Sequence, residues 1–141
     1  MKSTIKVQLD EGAFMPERAH ELDAGLDLRT PVRVTIPAHG YVFVDTGVHM
    51  EVPAHLDAHI RSKSGLNRYY GITADGTVDA GYTGTLGVTL HNDGDEDHTF
   101  ERGDKIAQVV LEVIVRMKPV QVDRIDQIGD RGDAGYGSTG R

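Results

Sequence analysis

The chain has 141 residues, a formal net charge of −7 and no cysteine. That length fits a single domain and buries roughly 68–70% of the unfolded surface, enough for a core without covalent staples. The missing cysteines exclude disulfides, thiolate nucleophiles and cysteine zinc sites, and the acidity argues against broad nucleic-acid binding, which needs a basic face. A small anionic ligand stays open, because a few local cations, backbone N–H groups and a metal ion can hold one inside an acidic protein.

The opening stretch, Met1 to Asp10, alternates charged and apolar residues and lacks the apolar run of a signal peptide. Ile5, Val7 and Leu9 alternate there with Lys6 and Gln8, the period of a strand. Val32, Val34 and Ile36 repeat the pattern between Pro31 and Pro37, and turn chemistry from Pro37 to Gly40 leads into an apolar segment, Tyr41 to Val44. Ser64 is a good helix N-cap, Leu66 to Tyr70 make the helical turn, and Gly71 closes it in the left-handed conformation. That helix can serve as a connector, as an anion site, or as both. A short loop from Gly71 to Asp79 follows, then strands at Leu86 to Leu90 and Ile106 to Val115, parted by Asn92-Asp93-Gly94-Asp95. The longest apolar run, Val109 to Val115, is interrupted by Glu112 and too short to span a bilayer. A cytoplasmic protein that binds neither membrane nor nucleic acid is expected. Many short strands with regular turns predict a sandwich or jelly roll. Taken alone, the glycine-rich end from Gly129 to Arg141 reads as a frayed tail.

Five segments carry the chemistry. They are Ala24-Gly25-Leu26-Asp27-Leu28; Arg61-Ser62-Lys63-Ser64-Gly65-Leu66; Gly76-Thr77-Val78-Asp79-Ala80-Gly81-Tyr82-Thr83-Gly84; Gly103-Asp104-Lys105-Ile106-Ala107-Gln108; and Arg131-Gly132-Asp133-Ala134-Gly135-Tyr136-Gly137-Ser138-Thr139-Gly140. Each is a weak signal alone. Together, in this order, they resemble the five motifs of the homotrimeric dUTPases from about Pro16 to Gly140.

The resemblance implies an all-β distorted jelly roll over residues 1–128 with one short helix. A flexible glycine-rich C-terminal arm, residues 129–141, would close over the active site. It implies hydrolysis of dUTP to dUMP and pyrophosphate by a homotrimer with sites shared between subunits, assisted by Mg²⁺. Asp79 takes the role of base or orienter for the water that attacks the α-phosphorus. Tyr82 lies beneath the sugar and leaves no room for a 2′-hydroxyl, while the backbone of Gly76, Thr77 and Val78 reads the uracil edge. Ser64, Gly65 and Gln108 bind phosphate through hydroxyl, backbone and amide donors. Lys63 stands where arginine is common and offers a point charge rather than a bidentate fork; Arg61 is the alternative cation. Asp27 serves Mg²⁺ indirectly, by accepting hydrogen bonds from its waters. In the arm, Tyr136 stands where phenylalanine is common and stacks on the uracil. Arg131 neutralises phosphate charge, and Gly137, Ser138 and Thr139 hold the γ-phosphate.

Three features draw competing readings. His55 and His59 are spaced like zinc ligands on a helix, but the Val52-Pro53 pair before them and the strand-like segment after them argue against one. Two Arg-Gly-Asp triplets, at Arg102 and Arg131, fall inside the motifs. Gly135 to Gly140 lacks the lysine and helix of a phosphate-binding loop. Deamination of dCTP on the same fold, a nucleotide-binding regulator without turnover, and a structural jelly roll are the alternative functions.

Overall fold

The computed structural model describes residues 3–140; Met1, Lys2 and Arg141, the ends of the two expected segments, lie outside it. Among the described residues are β1 (Val7–Leu9), β2 (Gly25–Arg29), β3 (Val34–Ile36), β4 (Tyr41–Met50) and β5 (Leu56–Arg61), then α1 (Ser64–Tyr70), β6 (Ile72–Val78), β7 (Thr85–Asn92), β8 (His98–Phe100) and β9 (Lys105–Val113). Seven strands form one curled antiparallel sheet in the order β1-β4-β7-β6-β5-β9-β2, and β3 pairs with β8 in a small ribbon. This is the expected all-β jelly roll with one short helix. No helix among the described residues is long and apolar enough to cross a membrane.

Alternation decides which face is buried. Along β7, Leu86, Val88 and Leu90 are inside while Gly87 and Thr89 face out. The core joins these residues to Leu28, Val44, Ile60, Ile72, Ile106 and Val109, with Ile36 and Phe100 delivered by the ribbon. Each such side chain contributes roughly 1.5–3 kcal/mol when fully buried. Buried Asn92 pins the ribbon, donating to the carbonyls of Ile36 at 3.1 Å and Glu96 at 2.8 Å.

Several local expectations are corrected. Ser64 is the first helical residue rather than the N-cap; Lys63 occupies that place in an extended conformation with no side-chain capping bond, and its carbonyl accepts Asn67 N–H at 3.0 Å. Gly71 does close the helix, at φ 68°. The stretch from Gly71 to Asp79 is strand β6 rather than a loop, because it pairs with β5 on one side and β7 on the other. β4 runs on to Met50, and β9 stops at Val113. β2 and β8 have weak strand patterns and form through pairing with β9 and β3. From Val115 to Gly140 every residue is exposed.

Candidate active site

The register of the sheet sets the site. Asp27 on β2 lies opposite Gln108 on β9, which lies opposite Arg61 on β5, which lies opposite Asp75 on β6. Residues directly opposite share a face, and their chain neighbours Leu28, Ala107, Ile60 and Ala74 are buried. This row therefore lies on the face away from the core. Gln108 Nε2 donates to the Ser62 carbonyl at 3.0 Å. Its side chain lies against Gly25, where an added Cβ would come within 2.1 Å of Gln108 Oε1. Ser62 Oγ in turn accepts Ala74 N–H at 2.9 Å, tying the end of β5 to β6.

Two lysines converge on Asp27. Lys63 Nζ is 2.5 Å from Oδ1 and Lys105 Nζ is 2.8 Å from Oδ2. Burial pushes the Asp27 carboxyl up, but the hydrogen bonds and charges of Lys105 and Lys63 outweigh it and hold it below its ordinary 3.8. Oδ2 is buried, with the Lys105 ammonium as its partner. Arg61 is engaged elsewhere, 2.5 Å from Glu112 Oε1. Ser64 and Gly65 are exposed in the first turn of α1, and the space beside the Gly65 Cα is open.

The third segment occupies another end of the sheet. Gly76, Thr77 and Val78 finish β6, with Gly76 opposite Ile60 and Val78 opposite Ala58. β6 pairs with β7 only from Ile72 to Asp75, although β6 continues to Val78 and β7 begins at Thr85. The edge of Gly76 to Val78 that faces β7 is thus outside the ladder. Asp79 is exposed, and its carbonyl accepts Tyr82 N–H at 3.1 Å. The Tyr82 ring lies across Gly84, where a Cβ would come within 2.5 Å of the ring, and its hydroxyl donates to the Thr85 carbonyl at 3.1 Å. Lys63 lies five residues along the strand from Ala58, the partner of Val78, so on the order of 17 Å separates the two groups.

Among the described residues, the hydrogen bonds of the fifth segment are local. Arg131 Nε donates to the Ala134 carbonyl at 2.9 Å, Ser138 N–H to the Gly135 carbonyl at 2.7 Å, and Tyr136 is fully exposed. One chain therefore brings together Asp27, Lys63 and Gln108, with Ser64 and Gly65 next to Lys63. It keeps Asp79, Tyr82 and the segment from Arg131 to Thr139 apart from them. Lys105, Ser62 and Gly25 belong to the cluster, yet they carry no distinctive signal in the sequence beyond lying inside the motifs. His59 Nε2 lies 2.9 Å from Asp57 Oδ2 and is engaged there.

The family model described as dUTPase matches residues 11–140, nearly the whole chain. The chain belongs to the dUTPase family. It is 40% identical over 136 residues to the deoxyuridine 5'-triphosphate nucleotidohydrolase of Clostridium acetobutylicum, covering 94% of this chain and 93% of that one. It is 40% identical over 134 residues to that of Arabidopsis thaliana, covering 94% and 80%. Among solved structures, the dUTPase of Staphylococcus bacteriophage 80alpha with dUPNHPP superposes at a TM-score of 0.92 and 27% identity, covering 99% of this chain and 100% of that one. The dUTPase of phage phi11 of S. aureus, described with a coordinated structural Mg(II) ion, superposes at 0.81 with 25% identity, covering 89% and 100%.

Proposed function

We propose that the chain hydrolyses dUTP to dUMP and pyrophosphate by water attack on the α-phosphorus, removing dUTP and supplying dUMP. The observation that carries the reading is the convergence of Asp27, Lys63 and Gln108 beside the first turn of α1, in a chain of the dUTPase family. A lysine ammonium has three donors. One on Asp27 leaves two for phosphate, so Asp27 orients Lys63 without consuming it. The Gly65 N–H, in a first turn without intrahelical acceptors, and the Ser64 hydroxyl supply neutral donors next to it. Arg61, paired with Glu112, is a support rather than the phosphate cation.

The uracil is read by backbone groups. Along the unladdered edge of Gly76, Thr77 and Val78, alternate residues turn N–H and C=O groups away from β5. The Gly76 N–H already donates to Asp75 Oδ1 at 2.8 Å, and the remaining outward groups are those the base would meet. A base bonded there is selected by its donor and acceptor pattern, since a mismatched base leaves buried groups unpaired. The Tyr82 ring, seated on Gly84, forms the floor beneath the sugar and rejects a 2′-hydroxyl. Asp79 holds or deprotonates the attacking water.

The donor set also fits hydrated Mg²⁺, which keeps most of its waters and takes other ligands from substrate phosphates. Asp27 is held ionised between Lys63 and Lys105, and a charged carboxylate there would accept a hydrogen bond from such a water. Bound there, the ion supplies charge neutralisation for the triphosphate. Because Asp79 and Lys63 stand on the order of 17 Å apart in one chain, the complete site draws them from different subunits of a homotrimer. The arm from Gly129 onward then covers a site that it shares, with Tyr136 stacked on the base, Arg131 near the phosphates, and Gly137, Ser138 and Thr139 at the γ-phosphate.

Pyrophosphate release from dUTP, dCTP, dTTP and UTP tests the reading. Turnover should be confined to dUTP; comparable rates with dCTP or UTP would overturn it. Asp79→Asn should bind dUTP but lose roughly 10²–10⁴-fold in turnover, and a near-normal rate in the folded variant would remove Asp79 from the role.

A further inference from the structure

Outside the groups assigned above, one polar cluster joins three parts of the chain. β4 and β7 slip register between the pairs Asp45↔Gly87 and His49↔Thr85, so β4 carries extra residues there. Gly47 supplies the positive φ of 67° that this bulge needs. Thr46 fixes it by donating to the Leu86 carbonyl at 2.7 Å, and the Asp45 carboxylate accepts Gly47 N–H at 2.9 Å. The bulge carries His49 to a point beside both β1 and the turn after Asp79. There His49 Nδ1 is 2.8 Å from the Thr83 carbonyl oxygen and Nε2 is 3.0 Å from Asp10 Oδ1. Both partners only accept hydrogen bonds. A neutral imidazole has one N–H, so only the imidazolium donates to both.

We propose that His49, as the imidazolium, is a positioning residue that clips the Thr83 carbonyl to the Asp10 carboxylate and so holds the Asp79–Gly84 turn in place for the reaction. The inference rests on the assignment of Asp79 and Tyr82 above and adds a control on that same segment. Thr83 follows Tyr82 directly, so its carbonyl anchors the backbone that carries both residues. The side chain is only 23% accessible, which limits competition from water. The charged groups around it are Asp10 on the segment after β1, Asp45 on its own strand, and Lys6 and Glu51, paired with each other at 3.1 Å. Lys6, Glu51, Tyr82 and Thr83 share with His49 the lining of a cavity of about 460 Å³.

The hydrogen bond to Thr83, then that to Asp10, raises the His49 pKa above its ordinary 6.5 against the opposing effect of partial burial. A raised value means that the clip is fully formed below 6.5 and is lost as pH climbs through the higher folded-state value. Above it, one ring nitrogen turns a lone pair toward an oxygen and the turn is released on one side.

NMR titration of the intact protein tests the clip without using activity. The His49 imidazole should titrate above its ordinary value, and the amide signals of Thr83 and Gly84 should move with the same midpoint. Asp10→Asn should lower that midpoint, while His49→Gln, which keeps a donor for Thr83, should abolish the amide step. In the wild type, kcat/KM for dUTP should step down through the same midpoint, and the His49→Gln profile should lack that step. Amides of Thr83 and Gly84 that ignore the titration, a midpoint unmoved in Asp10→Asn, or a kcat/KM profile without the step would each overturn the proposal. An active Asp79→Asn enzyme with its His49 titration intact would instead overturn the assignment of Asp79 and leave the clip standing.

Discussion

At Asp27 a carboxylate is taken out of water and still kept charged. Burial alone favours its neutral form, and two ammonium groups on opposite oxygens reverse that preference. Breaking a fully buried pair costs about 3–5 kcal/mol. Here Lys63 and Lys105 keep 28% and 37% of their side-chain surface accessible, so Asp27→Asn is expected to destabilise by only about 1–2 kcal/mol at neutral pH. The sign with pH follows from the lowered value: the stabilisation is present above 3.8 and disappears as pH falls through the depressed folded-state pKa. Urea unfolding of both proteins at neutral pH and well below pH 3.8 checks this. A gap between wild type and variant that persists undiminished in acid contradicts the ion-pair account. The same geometry separates the two cations of the second segment, since Arg61 is committed to Glu112 and Lys63 to Asp27.

Among the elements, β6 and the terminal arm do work that their sequences hide. β6 pairs with β5 from Asp75 to Val78 and with β7 from Ile72 to Asp75. Its β7-facing edge at Gly76 to Val78, where the base is proposed to bind, is thus left outside the ladder without a dedicated loop. The arm is different in kind. Among the described residues its hydrogen bonds from Arg131 to Gly140 are local and its residues are exposed, so its removal is expected to cost the core nothing. Deleting the chain from Arg131 onward should leave thermal stability unchanged. It should lower dUTP turnover by at least about tenfold, about 1.4 kcal/mol in the barrier, because the stacking ring and the γ-phosphate contacts proposed for the arm go with it. Differential scanning calorimetry and a pyrophosphate assay on the truncated chain measure both. An intact rate would make the arm a spectator.

The whole molecule explains why its functional residues are dispersed. From the end of β9 to the arm, Val113, Val115, Met117, Val120, Val122, Ile125 and Ile128 are exposed. Contiguous exposed apolar surface marks an interaction site, and the spacing of two through Val113, Val115 and Met117 suits a segment laid against a neighbour's sheet. The proposed homotrimer would cover this stretch and join the end of the sheet bearing Asp79 to the end bearing Lys63. Light scattering should give a solution mass of three chains. A chain ending at Val113 should lose that mass and its activity together. A full-length monomer that is stable and fully active would contradict shared sites.

Much of this was legible in the residues alone. Alternation at Val32, Val34 and Ile36 and the β-branched, apolar composition of Leu86 to Leu90 and Ile106 to Val115 announce strands, the last two residues of that stretch lying beyond the end of β9. The five ordered segments identify the family, and with it the roles expected of Asp79, Tyr82 and Gln108. What the residues alone leave undecided is everything that depends on register. That Lys105 as well as Lys63 meets Asp27, that Glu112 takes Arg61, and that a bulge at Gly47 carries His49 to Thr83 all follow from which residue lies opposite which. Strand pairing joins positions far apart in the chain, and a shift of one residue turns every side chain to the other face. Local patterns specify the buried face, and only the assembled sheet specifies the neighbours.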